Sequence, residues 1–215
     1  MIIAIDGPAG SGKSSVARRV AQRAGFEYIN SGNFYRAVTL AVLSSSTDPK
    51  DSSAVISTAK TVDLAVIDGK LCLNGTAVDD LLHTDRVDAW VAAHSAIPAV
   101  RDVVNRYLKN LAAGRNVVVE GRDITTVVFP EADLRVFIDA SVEVRAQRRY
   151  DQGISSLSLE EIQERIKERD EIDRTKPVGS LKLSEGVMYL DTSLLTIDEV
   201  CDKVMNKIRE IEPCA

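Results

Sequence analysis

The sequence predicts a three-layer α/β fold with a parallel central sheet, a small antiparallel insert and a helical lid. Apolar runs of strand length alternate with helical patterns, and this alternation favours a parallel sheet covered by crossover helices. The stretch near 62–78 instead has short runs around a turn, which is typical of an antiparallel hairpin. Ligands of parallel α/β sheets bind beyond the carboxyl ends of the strands, so functional residues are expected directly after each strand.

The first strand, at residues 2–5, leads into a loop with the pattern G-x-x-x-x-G-K-[ST]. A helix follows at 14–24 and ends at Gly25. Strand, loop and helix in this order form a phosphate cradle, because glycines let the backbone approach a phosphate and the helix starts with free amides. The expected ATP-binding residues are Gly7, Pro8, Ala9, Gly10, Ser11, Gly12, Lys13, Ser14 and Ser15. Lys13 can reach the β- and γ-phosphates, and the Ser14 hydroxyl can bind Mg²⁺.

The remaining elements follow from periodicity and from helix start and stop signals. Strands are expected at 26–29, 117–120, 134–139 and 187–190, with a polar loop at 44–53 and a hairpin turn at Asp68 and Gly69. A helix is expected after the strand at 26–29 and through about residue 43. Further helices are expected at 84–95, 98–113, 142–152 and 158–172, and a last helix is capped by Thr196. Ser158 and Glu161 form a capping box for the helix at 158–172.

Composition excludes several classes of function. The chain has 27 Lys and Arg against 32 Asp and Glu, so its formal net charge is −5, unlike that of a nucleic-acid polymer or membrane-surface binder. Three scattered cysteines and two histidines fit neither a disulfide framework nor a metal-ligand spacing. The apolar runs are shorter than a membrane span, and the start MIIAIDG lacks a basic leader, so we expect a cytoplasmic protein.

Positive side chains follow several of the predicted strands. Ser31 is expected to cap the helix after the second strand, and Arg36 lies one turn inside that helix. Arg122 and Asp123 follow the strand at 117–120 between apolar runs, where an arginine suits bidentate phosphate recognition. An ordinary cap with a surface arginine, or a structural Arg–carboxylate pair, would explain the same residues.

The helix at 158–172 has an apolar stripe at Ile162 and Ile166. The same spacing leads to Arg169, Asp173 and Lys176, which suggests a helix that runs from the core into a polar cleft. A solvated salt-bridge face is the alternative. Arg145, Arg148 and Arg149 lie on the preceding helix, and the flexible stretch 152–156 joins the two helices. Such a pair of helices would form a lid that excludes water from a transferring phosphoryl group.

The acceptor is expected to be a phosphate monoester. Such an acceptor brings its own ionised nucleophile, so the site needs positive charge more than it needs a general base. A neutral alcohol acceptor is less consistent with the many arginines and the lack of a histidine-assisted nucleophile.

The segments IAIDGPAGSGKSS, NSGNFYRAVTLA, GRDITTVVFP and KERDEIDRTKPV resemble those of the bacterial cytidylate kinases, in the order of that family. The resemblance covers nearly the whole chain and implies a P-loop kinase fold. It implies Mg²⁺-dependent transfer of the γ-phosphoryl group of ATP to CMP or dCMP, giving CDP or dCDP and ADP. The implied partners are these small molecules, without a nucleic-acid polymer or a membrane, and we expect a monomer.

The resemblance also implies residue roles. The residues implied to bind CMP are Ser31, Tyr35, Arg36, Arg101, Arg122, Asp123, Arg169, Asp173 and Lys176. Those implied to be catalytic are Lys13, Arg122, Arg148 and Arg149. A single domain at 1–215 would contain a monophosphate-binding region at 30–113, with the insert near 62–78, and a lid region at 145–176.

The chain departs from the pattern of the family at three positions. Asn30 replaces a usual Asp, Ala92 replaces a frequent Ser, and Lys176 replaces a usual Arg and so loses the guanidinium fork. The substitution at Ala92 would weaken discrimination for cytosine.

Two other functions stay open at this stage. One is a P-loop kinase with UMP, AMP or a small alcohol as its acceptor. The other is a nucleotide switch or binding module, although the chain lacks the guanine-reading pattern N-K-x-D. Glu120, Asp123 and Asp139 each lie at the end of a predicted strand, and the sequence does not rank them as the carboxylate that supports Mg²⁺.

Overall fold

The computed structural model describes residues 1–67, 69–153 and 157–211. The secondary-structure elements, in chain order, are β1 (Ile2–Asp6), α1 (Lys13–Ala24), β2 (Glu27–Asn30), α2 (Ser31–Ser44), α3 (Ser52–Thr61), β3 (Leu64–Ile67), β4 (Lys70–Leu73), β5 (Thr76–Ala77), a 3₁₀ turn (Asp79–Leu81), α4 (Asp85–Ser95), α5 (Pro98–Ala112), β6 (Val117–Gly121), a π-helical turn (Ile124–Val128), β7 (Leu134–Asp139), α6 (Val142–Asp151), α7 (Leu159–Thr175), β8 (Met188–Asp191) and α8 (Ile197–Ile211). Within the described ranges, none of the helices combines the length and apolar character needed to cross a membrane.

The chain divides into two compact units. The first comprises Met1–Ile29 and the chain from Gly114 onward, and the second comprises Asn30–Ala113. The first unit contains the five-stranded sheet, with strand order β2-β6-β1-β7-β8. β1 pairs in parallel with both β6 and β7, and β7 pairs in parallel with β8. The predicted parallel sheet is therefore confirmed.

The central strands β1, β6 and β7 are apolar and buried, as continuous apolar runs predict for strands covered on both faces. The apolar side of α1, which includes Val16 and Val20, packs into the same core as Ile3, Val136 and the inner face of α8. This packing holds the start of α1 at the carboxyl end of β1 and so fixes the position of the loop between them at the edge of the sheet.

A smaller apolar cluster joins α6 to α7. Ala146, Ile162 and Ile166 form its buried centre, and Val142 and Leu159 pack around it. The capping box between Ser158 and Glu161 is present at the start of α7, as predicted. Residues 154–156 of the flexible stretch predicted at 152–156 lie outside the described residues.

The second unit contains the small antiparallel sheet, with strand order β3-β4-β5. Leu64 lies opposite Leu73, and Ile67 lies opposite Lys70, so the predicted insert is confirmed. Asp68 of the predicted turn lies outside the described residues, and Gly69 has a left-handed φ of 75°.

Two local expectations are wrong in this unit. The loop expected at 44–53 ends earlier, because α3 begins at Ser52 and the Asp51 side chain accepts hydrogen bonds from the Ser53 and Ala54 amides. The cap of α2 is Asn30, and Ser31 is its first helical residue instead of the cap. The polar composition of α3 hid its helical pattern, since only Val55 and Ala59 of this helix are buried.

Candidate active site

The loop between β1 and α1 requires glycine for steric reasons. A Cβ atom on Gly7 would lie 2.1 Å from the carbonyl oxygen of Ile138, closer than atoms can approach. Gly10 and Gly12 have left-handed φ values of 78° and 86°, which residues with a Cβ atom rarely adopt. The loop therefore has the tightly turned backbone that a phosphate cradle needs.

Lys13 is buried at the first position of α1. Its Nζ atom donates a hydrogen bond to the carbonyl oxygen of Pro8 at 3.3 Å. Burial, together with the positive charges of Arg122 and Arg169, lowers the pKa of Lys13 from 10.5 to about 7. Glu120 and Asp173 only partly offset these effects on the ammonium group, and a polyphosphate at the loop would supply further negative charge.

Ser14, the predicted metal ligand, contacts a buried carboxylate. Its hydroxyl donates a hydrogen bond to Oε2 of Glu120 at 2.9 Å. Glu120 is near the end of β6, and β6 lies beside β1 in the sheet. By contrast, Asp139 accepts hydrogen bonds from the Ala140 amide and the Tyr189 hydroxyl. The geometry therefore ranks Glu120 above Asp139 as the carboxylate next to Ser14.

Ser14 and Glu120 fit a Mg²⁺ site. Mg²⁺ prefers oxygen ligands and is usually held by one or two protein groups together with substrate phosphates and water. Residues 1–67, 69–153 and 157–211 contain no group of three or more His, Cys, Asp or Glu side chains that could hold a metal by themselves. A serine hydroxyl beside one carboxylate, at the end of a phosphate-binding loop, suits a metal that arrives with a nucleotide.

A second buried carboxylate, Asp6, fixes the segment that follows β6. It accepts hydrogen bonds from the amides of Ile124 and Thr125 at 2.9 and 2.7 Å, and from the Thr125 hydroxyl at 2.7 Å. Burial raises the pKa of Asp6 to about 6, although these hydrogen bonds oppose the shift. Asp6 therefore attaches the π-helical turn after Arg122 and Asp123 to the end of β1. No local sequence pattern indicates this role, because Asp6 and Thr125 are 119 residues apart along the chain.

Arg122, Asp173 and Lys176 lie together. Nε of Arg122 is 2.8 Å from Oδ2 of Asp173, and Nζ of Lys176 is 3.3 Å from Oδ1 of the same carboxylate. Burial by itself raises the pKa of Asp173, but the charges of Arg122, Lys176 and Arg169 outweigh it and hold this pKa below its usual value. Arg169 is exposed on α7, and Asp123 is buried at the start of the π-helical turn.

Arg145 is buried in the first unit. Its guanidinium group forms a two-point ion pair with Asp170, at 3.0 and 2.5 Å. It also donates to the carbonyl oxygens of Ala140, at 2.9 Å, and Ala9, at 3.1 Å. The pair therefore ties the phosphate-binding loop to α6 and α7. Asp170 follows Ile166 by four residues on the buried stripe of α7, and this signal could have identified it.

The other two arginines of α6 differ in their surroundings. Arg148 donates hydrogen bonds to the carbonyl oxygens of Ser11, at 3.4 Å, and Thr192, at 2.7 Å. The Thr192 hydroxyl also donates a hydrogen bond to the carbonyl oxygen of Ser11, at 3.3 Å. Arg149 is exposed on the surface of α6. The structure thus brings Arg148, but not Arg149, against the phosphate-binding loop.

The predicted site residues of the second unit lie around α2. Arg36 pairs with Asp88 at 2.6 Å and donates to the carbonyl oxygen of Leu82 at 2.9 Å. The guanidinium carbon of Arg101 lies 5.2 Å from the ring centre of Tyr35. Ser31, Tyr35 and Arg101 are all buried. Within this unit, the structure brings Arg101 and Tyr35 together.

The Arg145–Asp170 ion pair supports a first prediction. Arg145→Met should lower the free energy of unfolding by about 3–5 kcal/mol, because it leaves the Asp170 carboxylate buried without a counter-charge. Urea denaturation measures this loss. The double variant Arg145→Met/Asp170→Leu should lose less than the sum of the single variants, since it removes both charges.

Lys167→Met is the matched control, because Lys167 forms an exposed pair with Glu164 on the same helix. It should change the free energy of unfolding by no more than about 0.5 kcal/mol. Equal losses for the Arg145 and Lys167 variants would contradict the structural role of the buried pair.

The lowered pKa of Lys13 supports a second prediction, for the ligand-free protein. Because the pKa in the folded state lies below the ordinary value, the folded chain binds fewer protons than the unfolded chain between pH 7 and 10.5. The contribution of Lys13 to the free energy of unfolding therefore becomes more favourable as the pH rises across that window. Lys13→Met should be more stable than the wild type at pH about 6, and this difference should shrink by pH about 10.

Urea denaturation at several pH values measures the difference for Lys13. Lys109→Met, which removes an exposed positive charge from α5, is the control. A Lys13→Met variant that is less stable than the wild type at low pH would show that burial does not penalise the ammonium group.

Comparison with known proteins agrees with this geometry. A family model described as cytidylate kinase matches residues 3–210. Cytidylate kinase 1 of Borrelia garinii subsp. bavariensis is 42% identical over 212 residues, which cover 96% of each chain. Cytidylate kinase of Borreliella burgdorferi strain ZS7 is 41% identical over the same length, also with 96% of each chain covered.

A solved structure supports the fold alone. The chain resembles shikimate kinase from Acinetobacter baumannii, solved in complex with shikimate, with a TM-score of 0.50 and 15% identity. The match covers 99% of this chain and 95% of that one. The predicted fold class and the family resemblance are both confirmed, and the chain belongs to the cytidylate kinase family.

Proposed function

We propose that this protein is an ATP-dependent nucleoside monophosphate kinase that phosphorylates CMP or dCMP, giving CDP or dCDP and ADP. One structural observation carries the proposal in a chain of this family: the loop with buried Lys13 and the Ser14–Glu120 pair lies at the carboxyl end of β1. Phosphates bind at this edge of a parallel sheet. Arg122 after β6 and Arg169 on α7 supply positive charge that suits a second anion.

The donor side is proposed to use the residues 7–15. Backbone amides of the loop bind the phosphates of ATP, and Lys13 offsets the charge on the group being transferred. Ser14 and Glu120 are proposed to hold Mg²⁺, which neutralises charge on the phosphate oxygens when it is bound. The Ser14 hydroxyl donates its hydrogen to Glu120 in the observed hydrogen bond, so the lone pairs of its oxygen are left for a cation.

We propose that the residues that bind the acceptor are Ser31, Tyr35, Arg36, Arg101, Arg122, Asp123, Arg169, Asp173 and Lys176. In the ligand-free protein, Asp173 pairs with both Arg122 and Lys176. A monophosphate would compete with this carboxylate for the two cations. The acceptor oxygen is already ionised, so its attack needs no general base.

Arg148 and Arg149 are proposed as catalytic arginines of a lid at 145–176. Arg148 supports this role by its hydrogen bond to the carbonyl oxygen of Ser11 in the phosphate-binding loop. We also propose the single-domain organisation at 1–215, with the monophosphate-binding region at 30–113. A monomer in the cytoplasm, where ATP and CMP are available, completes the proposal.

A panel of acceptors tests this function. ADP release should depend on both Mg²⁺ and the acceptor, and it should be fastest with CMP or dCMP among CMP, dCMP, UMP, AMP and shikimate. Chromatography should identify the diphosphate as the product. Fastest release with UMP, AMP or shikimate would assign another acceptor, and release without any acceptor would support a nucleotide switch.

Asp123 gives a prediction about the acceptor. Asp123→Ala should lower kcat/KM for CMP by at least about 10-fold, the loss of one good buried hydrogen bond, while the affinity for an ATP analogue changes by less than about twofold. Steady-state kinetics and calorimetry measure the two effects. Asp80→Ala, at an exposed aspartate, is the control. Similar losses for both substrates would contradict a role on the acceptor side.

A further inference from the structure

Glu120 accepts hydrogen bonds from two side chains. The hydroxyl of Tyr28 donates to Oε1 at 2.5 Å, and the hydroxyl of Ser14 donates to Oε2 at 2.9 Å. The three residues belong to three different elements, namely β2, β6 and α1. The Tyr28 contact lies within the range of a strong O–H···O⁻ hydrogen bond. The proposed function does not use Tyr28.

The tyrosine ring is held from two sides. β2 is the neighbour of β6 in the sheet, so the backbone places Tyr28 beside Glu120. Arg18 lies on α1, the helix that also carries Ser14, and its guanidinium carbon is 5.3 Å from the centre of the Tyr28 ring. The ring also packs against the apolar core of the first unit. Its hydroxyl is therefore presented to Glu120 by a rigid support.

We propose that Tyr28 is a positioning residue for the metal site, acting through Glu120. The proposal rests on the proposed function, because it assumes that Ser14 and Glu120 hold Mg²⁺ with ATP. With Oε1 held by Tyr28, the carboxylate cannot rotate freely, and Oε2 stays directed at Ser14. The Ser14 hydroxyl then stays directed at Glu120 as a donor, which leaves its oxygen lone pairs available to the cation.

A structural role for the same contact predicts a different result. If Tyr28 only joined β2 to β6, loss of its hydroxyl would lower thermal stability without changing how strongly Mg²⁺ enhances nucleotide binding. If Tyr28 orients Glu120, the loss appears in the Mg²⁺-dependent part of nucleotide affinity. The two roles are separated by comparing binding with and without the metal.

The experiment measures the affinity of the full chain for a non-hydrolysable ATP analogue by calorimetry, in Mg²⁺ and in EDTA. Tyr28→Phe should reduce the gain in affinity from Mg²⁺ by about 10-fold, as for loss of a partner that orients a metal ligand. Affinity in EDTA and the KM for CMP should change by less than about twofold. The control is Tyr107→Phe, which removes a hydroxyl bonded to the carbonyl oxygen of Val62 at 2.7 Å.

Glu120→Gln tests whether the effect passes through the carboxylate. In the Glu120→Gln background, Tyr28→Phe should add less than about a twofold further loss of Mg²⁺-dependent affinity. A full second loss in that background would overturn the proposal. So would a Tyr28→Phe protein with the same gain from Mg²⁺ as the wild type and Tyr107→Phe.

Failure of the proposed function has a separate signature. If the wild type itself binds the ATP analogue equally in Mg²⁺ and EDTA, the metal role of Ser14 and Glu120 is wrong, and the inference about Tyr28 is overturned with it. If the wild type gains affinity from Mg²⁺ and Tyr28→Phe gains equally, only the inference about Tyr28 is wrong.

Discussion

The gathering of positively charged side chains near the start of α1 is the constraint on which the rest of the site depends. Lys13 is buried beside Arg122 and Arg169, and this environment lowers its pKa to about 7. Carboxylates of the chain offset part of this positive charge, as Asp173 does for Arg122 and Lys176. Phosphate groups are strong partners for such cations, so under the proposed function a bound phosphate would replace internal ion pairs with contacts to the ligand.

α7 supplies the aspartates of two Arg–Asp pairs that differ in burial. Asp170 pairs with Arg145, and their side chains are 6% and 2% exposed. Asp173, one turn later, pairs with Arg122, and their side chains are 13% and 20% exposed. The first pair also bonds the loop carbonyl of Ala9, which suits a fixed support. The second pair is less buried, which suits the proposed exchange of partners with a bound phosphate. A three-residue step along one helix thus separates a deeply buried pair from a more accessible one.

Much of the fold could be predicted because its determinants are local. Glycines in the first loop, the capping box at Ser158 and Glu161, and the apolar runs of β1 and β6 each report the backbone around them. α3 escaped prediction because its only buried residues are Val55 and Ala59, which is too few for a clear helical stripe. The burial of Arg145 could not be predicted, because residue type and spacing do not show which of the three arginines of α6 turns inward.

The amino-acid sequence by itself determined the family, the phosphate-binding loop and the order of strands and helices, because these depend on short motifs and on local periodicity. Only the tertiary structure decided which carboxylate stands beside Ser14, and that Tyr28 is its second partner. Glu120 is 106 residues from Ser14 and 92 from Tyr28 along the chain. Their contact exists because β6 lies between β1 and β2 in the sheet, and strand order is a property of packing and not of any local sequence pattern.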